Sequence, residues 1–252
     1  MKVLAIGNQK GGTAKTTTAA ALAVMLSRRG RKVHLIDMDP QASLTAAFGV
    51  QEPEGLLYLA LKNGTALPVV PLSETLSLTP SSIDLASGES EFIAATSREY
   101  LLKTCLEQTA AIGQGGVIII DCPPSLGVLA VNCLAAATSL AVVVQPGGFE
   151  LRALAHLERV EHLLKQRVNP GLSIVGGIIT NCQRRPVINR QVQNEIARLY
   201  KDLGLVRSDM HMLNATTEGG ILDLKESASI ALQDYGQVLN KLIEVCPWLN
   251  AE

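Results

Sequence analysis

Asn8-Gln-Lys10-Gly11-Gly12-Thr13-Ala14-Lys15-Thr16-Thr17-Thr18 is the stretch that decides how the chain is read. Before it runs Lys2-Val-Leu-Ala-Ile6, a short apolar run that stops at Gly7. After it comes Ala19–Leu26, rich in Ala and Leu and therefore strongly helix-forming. A strand, a Gly-rich turn and a helix that opens on Lys-Thr make an anion site. Backbone N–H groups of the turn and the helix start converge there, and the helix dipole favours negative charge. Lys15 is placed to meet the outer phosphates of a nucleotide, and the Thr16 hydroxyl to sit on Mg²⁺. Gly11, Gly12, Thr13, Ala14 and Thr17 complete the expected cradle.

The ordinary phosphate-loop pattern G-x-x-x-x-G-K-[ST], counted back from Lys15, asks for Gly at 14 and 9, where this chain has Ala14 and Gln9. A methyl group fits many turns but disfavours positive φ. In place of the missing glycines the loop carries a second lysine, Lys10, at its entrance. With Lys15 already on its own nucleotide, Lys10 is better placed to meet a phosphate held by a second subunit. The Lys10-Gly11-Gly12-x-x-Lys15-Thr16 run resembles the deviant Walker A loop of the ParA/MinD ATPases. The resemblance implies ATP and Mg²⁺ as cofactors, and a nucleotide-sandwich dimer in which Lys10 acts across the interface.

Two further motifs sit where such a site needs carboxylates. Arg31–Ile36 reads as a strand running into Asp37-Met-Asp39-Pro40-Gln41, with the chain turning at Pro40. Acids at the C-terminal end of a strand beside a phosphate loop are where an α/β sheet places ligand groups. The run resembles the next motif of the ParA family, which implies that Asp39 positions the attacking water. Gly116–Ile120 is an apolar, β-branched run ending in Asp121, followed by Cys122-Pro-Pro-Ser-Leu-Gly127. A carboxylate so placed holds the water shell of Mg²⁺ in phosphate-loop ATPases. Either motif alone also fits a strand end capped by a solvated acid.

Composition sets the frame around these motifs. The 252 residues are 47% hydrophobic but only 3% aromatic, so the core must be aliphatic. We therefore expect an α/β fold: a mainly parallel, twisted sheet covered by helices on both faces. One domain over residues 1–252, without an N-terminal DNA-reading domain, accommodates the length. Five cysteines, an odd number without a C-x-x-C pair, argue for a reducing cytosol rather than disulfides or zinc. The chain begins at its first strand, leaving no room for a signal peptide, and no long uncharged apolar run suggests a membrane span.

Along the chain, Ala42–Phe48 and Leu56–Leu61 read as short helices within surface elaboration, and Leu76–Thr79 as a strand. Pro80–Leu85 and Ser97–Lys103 resemble the chromosomal, Soj-like branch of the family and carry no chemistry of their own. A helix near Gly127–Ala137, a strand Leu140–Gln145 and a helix Phe149–Gln166 follow. Gly147-Gly148 stand before that helix where the family often carries Glu and Tyr, which puts any contact through those side chains in doubt. Leu172–Thr180 is a strand, with Asn181 at its end as a neighbour of the adenine. Helices Val187–Lys201 and Ile230–Val245 complete the reading.

The net charge of −1 gives no global sign of nucleic acid, yet Arg184, Arg185, Arg190, Arg198, Lys201 and Arg207 face only Glu195 and Asp202 between 184 and 207. Such a footprint suits salt-sensitive, sequence-indifferent binding to duplex DNA. The same residues also suit a solvated helix face; the family resemblance favours DNA. It further implies an ATP-dependent homodimer, a ParB-like stimulating partner, and a cytoplasmic, nucleoid-associated ATPase that positions plasmid, chromosome or protein-body cargo. Two other relatives share the lysine loop. A MinD-like membrane regulator needs a terminal amphipathic basic helix, which Lys241–Glu252, with Pro247 and an acidic end, does not supply. An electron carrier like the nitrogenase iron protein needs two cluster-bridging cysteines, for which Cys105 and Cys133 are the candidates.

Overall fold

A computed structural model describes residues 1–8, 10–51, 55–110, 112, 115–146, 162–182 and 186–250. Its strands are β1 (Lys2–Gly7), β2 (Val33–Asp37), β3 (Val70–Pro71), β4 (Leu76–Thr79), β5 (Val117–Asp121), β6 (Ser139–Val144), β7 (Ser173–Cys182) and β8 (Asp202–Arg207). They form one sheet in the order β3-β4-β2-β5-β1-β6-β7-β8. Every neighbouring pair is parallel except β3 and β4. β1 lies between β5 and β6, with β2 on one side of the sheet and β7 and β8 on the other. The order reverses there, at the crevice where open α/β sheets bind ligands.

The helices are α1 (Lys15–Arg28), α2 (Ser43–Ala47), α3 (Leu56–Asn63), α4 (Asp84–Ala94), α5 (Leu101–Gln108), α6 (Val128–Ala136), α7 (Pro186–Leu199), α8 (Met210–Thr217) and α9 (Ile230–Val245). Strand alternation sorts the core into two aliphatic layers. Leu4, Ile6, Leu35, Ile119 and Val143 pack with α1 and α9; Val3, Ala5, Ile118, Ile120 and Val144 pack with α3, α5 and α6. The expected fold class holds. The helices at 43–47 and 56–63 are more than surface elaboration, since Leu44, Ala47, Leu57 and Leu61 are buried in the core. The helix expected over Phe149–Gln166 lies mostly outside the described residues, which resume with helix at 162–167. The helix expected to reach Lys201 ends at Leu199, because the chain turns there into β8, a strand with few apolar residues that was not anticipated.

Two local features bear on the site. Ala14, directly before α1, holds φ 63° and ψ 32°. It therefore takes the left-handed conformation that its methyl group disfavours, correcting the expectation that Ala would avoid positive φ. Gly49, just after α2, and Gly219, just after α8, meet backbone to backbone. A Cβ on Gly219 would fall 3.0 Å from the Gly49 Cα.

His34 is buried between β2 and β4, with Nδ1 2.8 Å from Ser77 Oγ and Nε2 2.9 Å from Thr79 Oγ1. Burial lowers its pKa from 6.5 to about 4. The unfolded chain therefore takes up this proton near pH 6.5 while the folded chain does so only near 4. Stability from the neutral ring is complete above pH 6.5 and falls as the pH drops towards 4. Between pH 7 and 5 the wild type should lose about 2 kcal/mol more than His34→Gln, read from urea midpoints at the two pH values. Ala14→Gly should stabilise the fold at neutral pH by about 1 kcal/mol, read as a higher urea midpoint, since glycine holds that φ without strain.

Candidate active site

The loop between β1 and α1 is tied to the ends of β6 and β7 by side chains. Thr180 Oγ1 donates to the Thr13 carbonyl at 2.7 Å, and Gln145 Nε2 to that of Gly12. Asn8 Nδ2 donates to the Val143 carbonyl. With its carbonyls engaged by the sheet, the turn is left with N–H groups to offer, as an anion site requires. Lys15 is buried, and its ammonium reaches over the turn to the Lys10 carbonyl at 3.2 Å. Thr13 Oγ1 donates to the same oxygen at 3.3 Å. Lys10 itself is exposed at the loop entrance. The two lysines thus differ in place as their spacing suggests.

Opposite the loop stand Asp37 and Asp121, partners in the β2–β5 register. Asp37 is fully buried and accepts from the backbone N–H groups of Thr45 and Asp39 and from the Thr45 hydroxyl. Burial outweighs these bonds and raises its pKa to about 6. Asp121 is buried too, with both carboxylate oxygens lacking a hydrogen-bond partner. Burial and the neighbouring Asp37 push its carboxyl well above the usual range, while Thr16 and Lys15 pull it down. A buried, unsatisfied carboxylate beside the Thr16 hydroxyl and the Lys15 ammonium fits the water shell of a divalent cation, which would restore its ionised form. Asp39 is half-exposed and accepts from Gln41 N at 3.0 Å, so its carboxylate lies at the open side of the same cluster.

Beyond the loop opens a cleft of about 510 Å³ lined by Gly12, Thr17, Asn181, Ser208, Met210 and Tyr235 among others. Asn181, with φ 53°, is the second-last residue of β7 and accepts from the Ser208 hydroxyl. Apolar walls with a few polar groups at one end suit a nucleobase, and Asn181 is among the residues that line this cleft.

The basic stretch is divided. Arg184 and Arg185 lie outside the described residues. Arg190 is exposed on α7; Arg198 pairs with Glu195 at 2.6 Å, and Lys201 with Glu244 at 3.7 Å. Arg207 stands apart. It lines the nucleotide-side cleft, and its guanidinium is held by the buried Asp234 at 2.8 Å. Thr180, Gln145 and Thr45 were given no role from the sequence, because nothing local distinguishes a tethering Thr or Gln, and Asp37 was read only as the neighbour of Asp39. Cys105 and Cys133 are fully buried and cannot bridge a cluster at a subunit face.

Comparison with known proteins agrees with this geometry. Residues 1–174 match the AAA-domain family model. Sporulation initiation inhibitor protein Soj of Bacillus subtilis is 35% identical over 207 residues, 80% of this chain and 81% of that protein. Chromosome partitioning protein ParA of Myxococcus xanthus is 37% identical over 206 residues, 79% of this chain and 72% of that protein. The crystal structure of cobyrinic acid a,c-diamide synthase from Mycobacterium smegmatis, with a bound ATP analog and magnesium, is 36% identical. Its TM-score is 0.72, covering 82% of this chain and 83% of that one. Likeness on this scale, over most of both chains, makes this protein a member of the AAA-domain family and, within it, of the ParA/Soj partitioning ATPases.

Proposed function

We propose that two copies of this chain close face to face on Mg-ATP, that the closed dimer holds duplex DNA without regard to sequence, and that hydrolysis releases it. The observation that carries this reading is the division of labour between the lysines: Lys15 buried within its own loop, Lys10 exposed at the entrance. Lys15 neutralises the outer phosphates of its own nucleotide, and Lys10 adds charge to the nucleotide of the partner. Thr16 and Asp121 hold the metal and its water shell. Asp39 orients the attacking water. Mg²⁺ held by Thr16 and Asp121 would supply positive charge to offset the negative charge that develops on the phosphates during hydrolysis. Asn181 and the apolar cleft hold the adenine.

For DNA we assign Arg190, Arg198 and Lys201, with Arg184 and Arg185 next to them in sequence. Arg207 has the weaker claim because Asp234 engages it. A ParB-like protein on the cargo would speed an intrinsically slow hydrolysis and detach the dimer, placing the ATPase on the nucleoid between cycles. The M. smegmatis protein is named for a synthase reaction. The Lys10/Lys15 pair and Asp37-Met-Asp39-Pro40-Gln41 favour partitioning for this chain, in keeping with its Soj and ParA relatives.

Binding to a random-sequence duplex should appear with Mg-ATP and be absent with Mg-ADP or without nucleotide. A fourfold rise in salt should weaken it roughly tenfold to a hundredfold if about two to four phosphates are neutralised. Lys10→Ala should lose DNA binding while still binding ATP. Equal binding in all three nucleotide states would remove the ATP dependence, and none in any would remove the DNA reading. Asp39→Ala should keep its nucleotide affinity and lose hydrolysis by about 100-fold or more, read as phosphate release.

A further inference from the structure

Pro80-Ser81-Ser82 has no part in the reading above, yet it leaves the sheet at the C-terminal end of β4, where Thr79 lies opposite Ile36 of β2. Its backbone enters a buried hydrogen-bond chain. Ser81 N donates to Thr45 Oγ1 at 2.9 Å, and that hydroxyl donates in turn to Asp37 Oδ2 at 2.7 Å. Asp37 Oδ2 also accepts from Thr45 N at 2.8 Å, while Oδ1 accepts from Asp39 N at 3.2 Å. Ser81, Thr45 and Asp37 are each fully buried.

The chain does a job that the local sequence leaves undone. Ala42 stands at the N-cap of α2 in the left-handed region, φ 52°, and has no side chain to cap the helix. The N–H of Thr45, third in the helix, is taken by Asp37 instead. A cap from outside thus fixes where α2 begins relative to β2. The turn between them carries Asp39, closed by Ala42 N on the Asp39 carbonyl at 2.9 Å. Asp39 therefore has its backbone held from both sides by groups that trace back to one buried carboxylate.

We propose that Asp37, Thr45 and the Ser81 backbone form a relay that sets the position of Asp39, with Thr45 a positioning residue for ATP hydrolysis. This rests on the reading of Asp39 as the carboxylate that orients water. Thr45 suits the role because one hydroxyl both donates and accepts at a point closed to solvent. Valine has the same shape but breaks both bonds. Serine keeps both.

The test compares Thr45→Val, Thr45→Ser, Asp37→Asn and Asp39→Ala in the full chain. It measures steady-state ATP hydrolysis with duplex DNA, ATP affinity by equilibrium binding, Mg²⁺ half-saturation and thermal midpoint. The relay predicts that Thr45→Val lowers kcat roughly 10- to 100-fold, the scale of a misplaced catalytic group, with ATP affinity and Mg²⁺ half-saturation unchanged. Thr45→Ser should restore most of the rate. Wild-type kcat in Thr45→Val, or ATP affinity falling in step with kcat, would overturn the relay while leaving Asp39 in place. Hydrolysis surviving in Asp39→Ala would instead remove the reading on which the relay stands. Should Thr45→Val fail to fold, Asp37→Asn keeps the volume but loses an acceptor. A loss of kcat in it without loss of ATP affinity supports the relay, and a wild-type kcat overturns it.

Discussion

Two carboxylates of like charge, Asp37 and Asp121, lie side by side at the ends of adjacent buried strands. Burial disfavours the ionised form of both, and the charge of Asp37 further disfavours that of Asp121. Protonation of one of them relieves such a pair, and so does positive charge nearby. The Lys15 ammonium supplies some of it, and a divalent cation brought with a nucleotide supplies more. The loop, the strand register and the open side of the cluster serve this one electrostatic requirement.

Precision at that end of the sheet depends on a stiff support behind it. The two aliphatic layers leave little room for the strands to slide, and the aromatic-poor core packs small branched side chains tightly. α9 closes the first layer, and its Tyr235 hydroxyl lies 2.8 Å from Thr18 Oγ1, one turn into the helix that starts at Lys15. The last long helix of the chain therefore braces the first. Its apolar face is consumed in the core through Leu232, Val238, Leu239 and Leu242.

Much of this was legible in the sequence because it is encoded locally. The phosphate loop, the apolar run ending in Asp121 and the span Ile230–Val245 emerge from adjacent residues, and the structure returns them with the same bounds or nearly so. β8 was not legible. Asp202 and Gly204 break its apolar pattern, and only packing on β7 and α9 makes the segment a strand. The basic stretch was legible as a charge count but not as a surface. Glu244 and Asp234, far along the chain, take up Lys201 and Arg207. Asp37 read as the lesser neighbour of Asp39 because the bonds that give it weight come from Thr45 and, through it, from Ser81.

The meeting of Gly49 with Gly219 gives the molecule a rigid linkage. Where side chains separate two helices, a small tilt of one is absorbed by rotamer changes in between. Here the ends of α2 and α8 touch through bare backbone, so there is no cushion. A shift of α8, which contributes Met210, Met212 and Leu213 to the cleft wall, would bear on the segment that follows the Asp39 turn. The molecule is built at this point less like a hinge than like a lever with a fixed fulcrum.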